Sequence, residues 1–367
     1  MTTCRIARAI ASRNLGAAII LSFALCNKLA VAQTDNFYVT TNTLLARSIG
    51  LGGAYTAVVD EIASTLYNPA NAGGYHKGHT ASFKIFLNPW TPIVASADRS
   101  AIFSTEESNG RKALATILAL LKGLSYRGGP FDLVLILGEQ STYERLLALQ
   151  SDFISMENYL DNQYSTAAVR FRLADRAAIG GSLGFFRHRL SDFEGEWSIR
   201  ASYGITLAPA ENVHVGVSYI RVPQALEDSL SQVDIQHSYR GHAERLIDGS
   251  LNIGVSYRPV DKLLLALDFR NLVEDQSAMV REPHFGIEYA ISQLFGIRAG
   301  SFMKNREKLP AFTFGIGLFD RFKRRSDQSL VESNWVLNYG LVLERLADSH
   351  RRITHALTIG FALGFGS

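Results

Sequence analysis

The chain has 367 residues, with 37 Lys and Arg against 34 Asp and Glu, a formal net charge of +3 and 47% apolar residues. Its two cysteines and nine scattered histidines show no metal-ligand or disulfide spacing, so no metal or other cofactor is expected. Charge this close to balance gives no sign of a nucleic-acid partner.

At the N-terminus, Arg5, Arg8 and Arg13 form a basic head and Leu15 to Leu25 an apolar stretch, followed by Ala30-Val31-Ala32. Residues 1–32 thus read as a cleavable signal peptide, with Gln33 starting the mature chain. A single membrane anchor is the competing reading, but the stretch is shorter than the ~20 residues a spanning helix needs. Cleavage removes Cys4 and Cys26 and four basic residues with no acid, so the mature net charge becomes −1. No later run approaches the ~18 apolar residues of a transmembrane helix.

Next comes Arg47-Ser48-Ile49-Gly50-Leu51-Gly52-Gly53-Ala54-Tyr55, then Thr65-Leu66-Tyr67-Asn68-Pro69-Ala70-Asn71. The glycine spacing fits neither a dinucleotide fingerprint nor a Walker A loop, so the cluster reads as a tight turn. Between about 105 and 162 a helical insertion is expected. Lys112 to Lys122 is a short apolar helix candidate, and Tyr143 to Leu160 carries a stripe of Leu146, Leu149, Phe153, Met156 and Leu160.

Most of the remainder alternates. Trp197, Ile199, Ala201, Tyr203, Ile205 and Leu207 oppose Ser198, Arg200, Ser202, Gly204 and Thr206. Phe312, Phe314, Ile316 and Leu318 oppose Ala311, Thr313, Gly315 and Gly317, and Trp335 to Leu343 repeats the pattern. Strict alternation is the signature of strands, because successive side chains point to opposite faces. The runs exceed the ~5–6 residues typical of soluble strands, and their non-apolar face is rich in glycine. Both features favour an all-β transmembrane barrel of about 14 antiparallel strands over a soluble sandwich. Leu207 to Ala210 and Arg258 to Asp261 read as short turns, and Val222 to Asp248 as a long outer loop.

The set Arg47, Gly50, Gly52, Gly53, Ala54, Tyr67, Asn68, Pro69 and Ala70 resembles the N-terminal signature of FadL-like outer-membrane transporters and their PorV/PorQ-like relatives. His284 to Tyr289, Leu294 to Gly300 and Leu265 to Asp268 resemble late strands of the PorV/PorQ-like group. The resemblance covers that signature and roughly the final third of the chain. It implies a barrel at 80–367 whose residues 33–79 fold into the lumen as a hatch, with Arg47, Gly50, Gly52, Gly53, Tyr55, Tyr67, Asn68 and Pro69 in it. Phe361, Leu363 and Phe365, near the C-terminus, resemble the signal read by the barrel-assembly machinery.

By alternation, Arg170, Arg172, Arg200, Arg258, Asp268, Arg270, Glu288, Arg298 and Glu344 face inward, since a mid-membrane charge in lipid costs ~2–4 kcal/mol. Paired, they hold a plug; unpaired, arginines line a path for an anionic head group. No catalytic motif appears, so no enzymatic activity is expected. Three functions fit: uptake of a hydrophobic small molecule, binding of a secreted or envelope protein, and a structural barrel. Each places the chain in outer-membrane lipid.

Overall fold

A computed structural model describes residues 37–40, 43–72, 81–89, 120–140, 163–188, 196–221, 250–270, 272, 282–292, 294–304, 309–318, 331–345 and 351–366. A short strand β1 (Phe37–Thr40) leads to a one-turn helix α1 (Ala46–Gly50) and two 3-10 turns at Ile62–Leu66 and Pro69–Asn71. Fourteen strands follow in chain order: β2 (Ser82–Leu87), β3 (Leu121–Gly128), β4 (Phe131–Gln140), β5 (Gln163–Ala174), β6 (Ala177–His188), β7 (Glu196–Ala210), β8 (Val213–Ile220), β9 (Ser250–Val260), β10 (Leu263–Arg270), β11 (Glu282–Ala290), β12 (Phe295–Lys304), β13 (Leu309–Leu318), β14 (Val331–Arg345) and β15 (Arg351–Gly366).

Strands β2 to β15 each pair antiparallel with their sequence neighbours, and β15 pairs back onto β2, closing the barrel. Closure removes the sheet edges that would otherwise need covering. The closing strand is shared. Phe361–Gly366 of β15 pairs with β2, whereas Ile353–Ala356 pairs in parallel with β1.

The outer face is the apolar one. On β13, Phe312 is 52% exposed and Phe314 49%, while the intervening Thr313 is 1% exposed. Ile199, Tyr203, Leu267, Phe285 and Trp335 are likewise exposed on their strands. In a soluble sandwich these side chains would be the core; here they cover the outside of a closed wall, the surface of a membrane-spanning barrel. Among the described residues no helix is long and apolar enough to cross a membrane. The turns Gly129–Pro130, Asp175–Arg176, Glu211–Asn212 and Asp261–Lys262 lie at one end, and the strand ends that the long connections 88–120, 141–162 and 221–249 join lie at the other.

Two expectations change. The helical insertion at 105–162 is interrupted, because Leu121–Gly128 and Phe131–Gln140 form a wall hairpin in which Leu133, Val134, Leu135 and Ile136 alternate outward and inward. The C-terminal end of the Lys112 to Lys122 helix candidate is therefore strand. An apolar run of that length fits either period, and lateral pairing with β2 decides it. Residues 112–119, the Tyr143 to Leu160 candidate, the signal peptide expected at 1–32 and the loop expected at Val222 to Asp248 lie outside the described residues. The turns expected at Leu207 to Ala210 and Arg258 to Asp261 shift a few residues on, because β7 runs to Ala210 and β9 to Val260.

Candidate functional site

The lumen is occupied by the chain itself. Residues 43–72 lie inside the wall, and Leu51, Ala54, Tyr55, Ala70 and Asn71 are all fully buried. The fit depends on missing side chains in the strands. Glycines face one another across neighbouring strands at Gly180 and Gly204, Gly216 and Gly254, Gly286 and Gly300, and Gly315 and Gly340. A methyl group on Gly180 would strike the Pro69 backbone; on Gly216, Thr56; on Gly286, Leu51; on Gly340, Ala46. These glycines hold a channel in the wall's inner surface through which the luminal backbone runs. The segment also needs glycine of its own: Gly52 and Gly53 have φ of 65° and 73°, conformations that other L-residues rarely adopt.

A backbone drawn into a barrel must still satisfy its polar groups, and the inner wall supplies the partners. Thr358 Oγ1 donates to Thr43 O at 2.6 Å, Thr313 Oγ1 to Gly50 O at 3.0 Å, Ser256 Oγ to Ala57 O at 2.8 Å and Ser218 Oγ to Tyr67 O at 2.8 Å. Asp268 Oδ2 accepts the N–H groups of both Tyr55 and Thr56 at 2.8 Å. Asn68 and Asn71 act as backbone surrogates. Asn68 Oδ1 caps Ala70 N at 3.0 Å and its amide donates to Thr56 O and Ile205 O; Asn71 donates to Thr56 O and Val58 O and accepts from Thr206 Oγ1. Pro69 opens the second 3-10 turn, where its missing N–H is no loss.

Charge converges on Arg47. Its guanidinium donates to Glu288 through Nε and Nη2, both at 2.8 Å, and to Asp60 at 2.7 and 2.8 Å. Glu288 also accepts from Arg298 Nε at 2.5 Å, Arg298 reaches Asn338 Oδ1 at 2.7 Å, and Arg258 reaches Asp60 at 2.5 Å. Burial opposes the charge on Arg47, but Asp60 and Glu288 outweigh it and raise its pKa well above the usual value. Burial raises the Tyr55 phenol well above its ordinary range, so its hydroxyl stays neutral and bridges Arg47 and Glu61. Tyr67 bonds Ser48 Oγ at 2.9 Å, and Arg270 lies 4.7 Å over its ring while donating to Gly53 O.

The nine charges read as inward alternate along their strands with the exposed apolar side chains. Arg170, Arg258, Asp268, Arg270, Glu288 and Arg298 contact the luminal segment or its ion-pair network. Arg172 pairs with Asp132 instead, and Glu344 is buried farther along β14. Arg200 is half-buried, its Nε without a hydrogen-bond partner among the described residues. Phe361 and Phe365 project outward, Phe361 with its ring 5.0 Å from Trp335, and Leu363 lies half-buried between them. Sequence reasoning missed Asp60, Lys122, Arg127, Asp132, Glu139 and His284. Glu139 binds Thr43 Oγ1 at 2.5 Å and Leu44 N at 2.9 Å and pairs with Lys122 at 3.1 Å; His284 Nδ1 meets Gly52 O at 2.6 Å. The inner wall also has apolar sectors: Phe86, Val134, Ile136 and Ala168 pack on Leu44, Ile62, Leu66 and Ala72 of the luminal segment, and Leu264 and Ala266 on Leu51, Ala54, Tyr55 and Val58.

No family model and no curated protein matches this chain significantly. Among solved structures it is similar to the toluene transporter TodX of Pseudomonas putida, at 12% identity over 89% of this chain and 99% of that one, with a TM-score of 0.40. A FadL homologue of Pseudomonas aeruginosa matches at 11% identity over 90% of this chain and 97% of that one, with a TM-score of 0.36. A mutant porin of Rh. blastica matches at 9% identity over 67% and 76%, with a TM-score of 0.34. Likenesses at this level carry no functional information, which has to come from the lumen itself.

Proposed function

We propose that this chain is an outer-membrane barrel of the FadL/PorV-like kind that takes up or binds a hydrophobic small molecule, with residues 33–79 as a hatch. The observation that carries the reading is the apolar sector of the inner wall at Phe86, Val134, Ile136 and Ala168, covered by Leu44, Ile62, Leu66 and Ala72. Directional polar bonds hold much of the hatch, and Leu264 and Ala266 also pack on Leu51, Ala54 and Val58. At the Phe86 sector non-directional apolar contact adds to the bonds that Glu139 makes to Leu44 and Arg170 to Ala72, and such contact is the surface a hydrophobic solute replaces at least cost. The two longest early connections, 88–120 and 141–162, leave these same strands at the long-loop end. The outward Phe361 and Phe365 on the closing strand suit recognition by the barrel-assembly machinery.

The test is uptake of a labelled long-chain fatty acid, and of a labelled monoaromatic hydrocarbon, by cells that express the barrel. Accumulation above that of a strain lacking it supports the reading; none with either probe removes it. A second reading, a PorV-like protein-binding component of secretion or envelope assembly, is favoured by the ion pairs that pin Arg47 to Glu288 and Asp60. That reading expects no uptake, together with a partner protein recovered by crosslinking at the long-loop end.

A further inference from the structure

The outer face of β11–β14 carries a furrow. In one registered row across these strands Tyr289, Ile297, Ile316 and Tyr339 are all large. In the next row Ala299 stands between Ile287 on β11 and Phe314 on β13. The missing bulk leaves a hollow of about 390 Å³ lined by these residues and by Gly315, which has no side chain. The next outward residue of β12 is small as well, since Ser301 lies between Phe285 and Phe312. The depression therefore follows β12, and the two added residues lengthen it by about 7 Å. Phe285, Phe312 and Phe314 are exposed along its rims. Strands β11 and β13, on either side of β12, stand about 10 Å apart. Subtracting one carbon contact distance of about 4 Å leaves about 6 Å between the rims. That admits one hydrocarbon chain and excludes a helix, whose diameter is about 10 Å.

We propose that an acyl chain of a bilayer lipid occupies this furrow as a retained, oriented ligand of the outer wall. The furrow lies in the exposed apolar band that meets lipid, so hydrocarbon is its medium. A void there forfeits the dispersion contacts of its lining, and a linear chain restores them. A second copy of this barrel would meet the Phe312 and Phe314 rims and leave the floor empty. The direction of the chain follows from the two ends. Tyr289 and Ile297 flank the β11–β12 connection at 291–294, on the short-turn side, where an exposed tyrosine suits the head-group level. Ser301 lies toward the opposite end of β12. The lipid head group therefore sits at the short-turn side, and the chain runs from Ile297 toward Ser301. This inference rests on the membrane-facing exterior and is independent of what the lumen passes.

The test reconstitutes the full-length barrel in phosphatidylcholine vesicles that carry a trace of the same lipid with a photoactivatable diazirine on one acyl chain. The diazirine sits near the carbonyl in one preparation and near the methyl end in another. Both leaflets hold the same lipid, so the protein alone sets the direction. After irradiation, digestion and mass spectrometry locate the adducts. Labelling between Ile287 and Phe314 is expected to exceed that around Ile205 and Val217, on the exterior of β7 and β8, about tenfold, the ratio that roughly ten additional carbon contacts give. The carbonyl-end probe should mark Ile297 and the methyl-end probe Ser301 and Phe312. Ala299→Phe fills the furrow and should lower labelling to the β7–β8 level with an unchanged thermal midpoint. Ala201→Phe, on the exterior of β7, should leave the enrichment intact. Even labelling round the barrel, a reversed order of the two probes, or enrichment that survives in a folded Ala299→Phe variant overturns the proposal. Labelling at the furrow below the β7–β8 level, the result of a second copy seated there, overturns it too.

Discussion

Arg47 on the luminal helix and Glu288 on β11 form a two-pronged ion pair, both contacts 2.8 Å, joining the inserted segment to the wall across 241 residues of sequence. Glu288 is 2% exposed and shared with Arg298. Glu288→Ala leaves two buried guanidiniums short of a partner, a loss expected to cost about 3–5 kcal/mol. Denaturant unfolding in micelles should show the midpoint fall; an unchanged midpoint would mean that the pair is not a latch.

Neighbouring glycines make a matched test of the wall's inner channel. A Cβ on Gly180 meets the Pro69 backbone, whereas on Gly181 its nearest neighbour is Ser202 O at 3.9 Å. Gly180→Ala is expected to cost about 1–3 kcal/mol through overpacking, and Gly181→Ala to be tolerated. Thermal midpoints of the two variants decide it, and equal effects would count against close packing of the segment on the wall.

Asp268 Oδ2 accepts the N–H groups of both Tyr55 and Thr56. Asp268→Leu should destabilise by about 1–3 kcal/mol for each donor left unsatisfied, whereas Asp268→Asn, which keeps one oxygen, should lose less. Amide hydrogen exchange at Tyr55 and Thr56 reports the event locally: protection should fall in the leucine variant, and retained protection would contradict the assignment.

The outer face of β13 should reject charge. Phe314→Arg places a cation on the lipid face and should cost about 2–4 kcal/mol if it lies near the midplane. Reversible unfolding in lipid vesicles measures this, and a neutral outcome would undermine the membrane assignment of that face.

Deleting residues 43–72 should open the lumen to water and raise single-channel conductance in planar bilayers. An unchanged conductance in a correctly folded deletion variant would show that something other than this segment blocks the barrel.

Much of this architecture was legible in the residue order. Phe312, Phe314 and Ile316 against Thr313 and Gly315 announced both the strand and its two environments, because a period of two leaves no other arrangement. Arg170, Asp268, Glu288 and Arg298 were assigned inward on the same ground. Their partners were not. That Arg47 would meet Glu288 depends on where the luminal segment sits, which no local pattern records. Asp132 and Glu139 escaped notice because Lys112 to Lys122 looked helical and took the β3–β4 hairpin with it. The glycine-rich face of the strands shows in the sequence; that its glycines stand opposite one another, as Gly286 and Gly300 do, emerges only from strand register.

The division of β15 between two partners bears on how the molecule comes together. Ser82–Leu87 meets Phe361–Gly366 only once nearly the whole polypeptide has been synthesised, and such distant pairings form late. By then the chain's own leading portion must already lie within the curving sheet, since the final zippering leaves it no lateral way in. Lesions in its bed at Gly216 or Gly340 should therefore show themselves first as stalled biogenesis and proteolytic loss, rather than as a finished but leaky product.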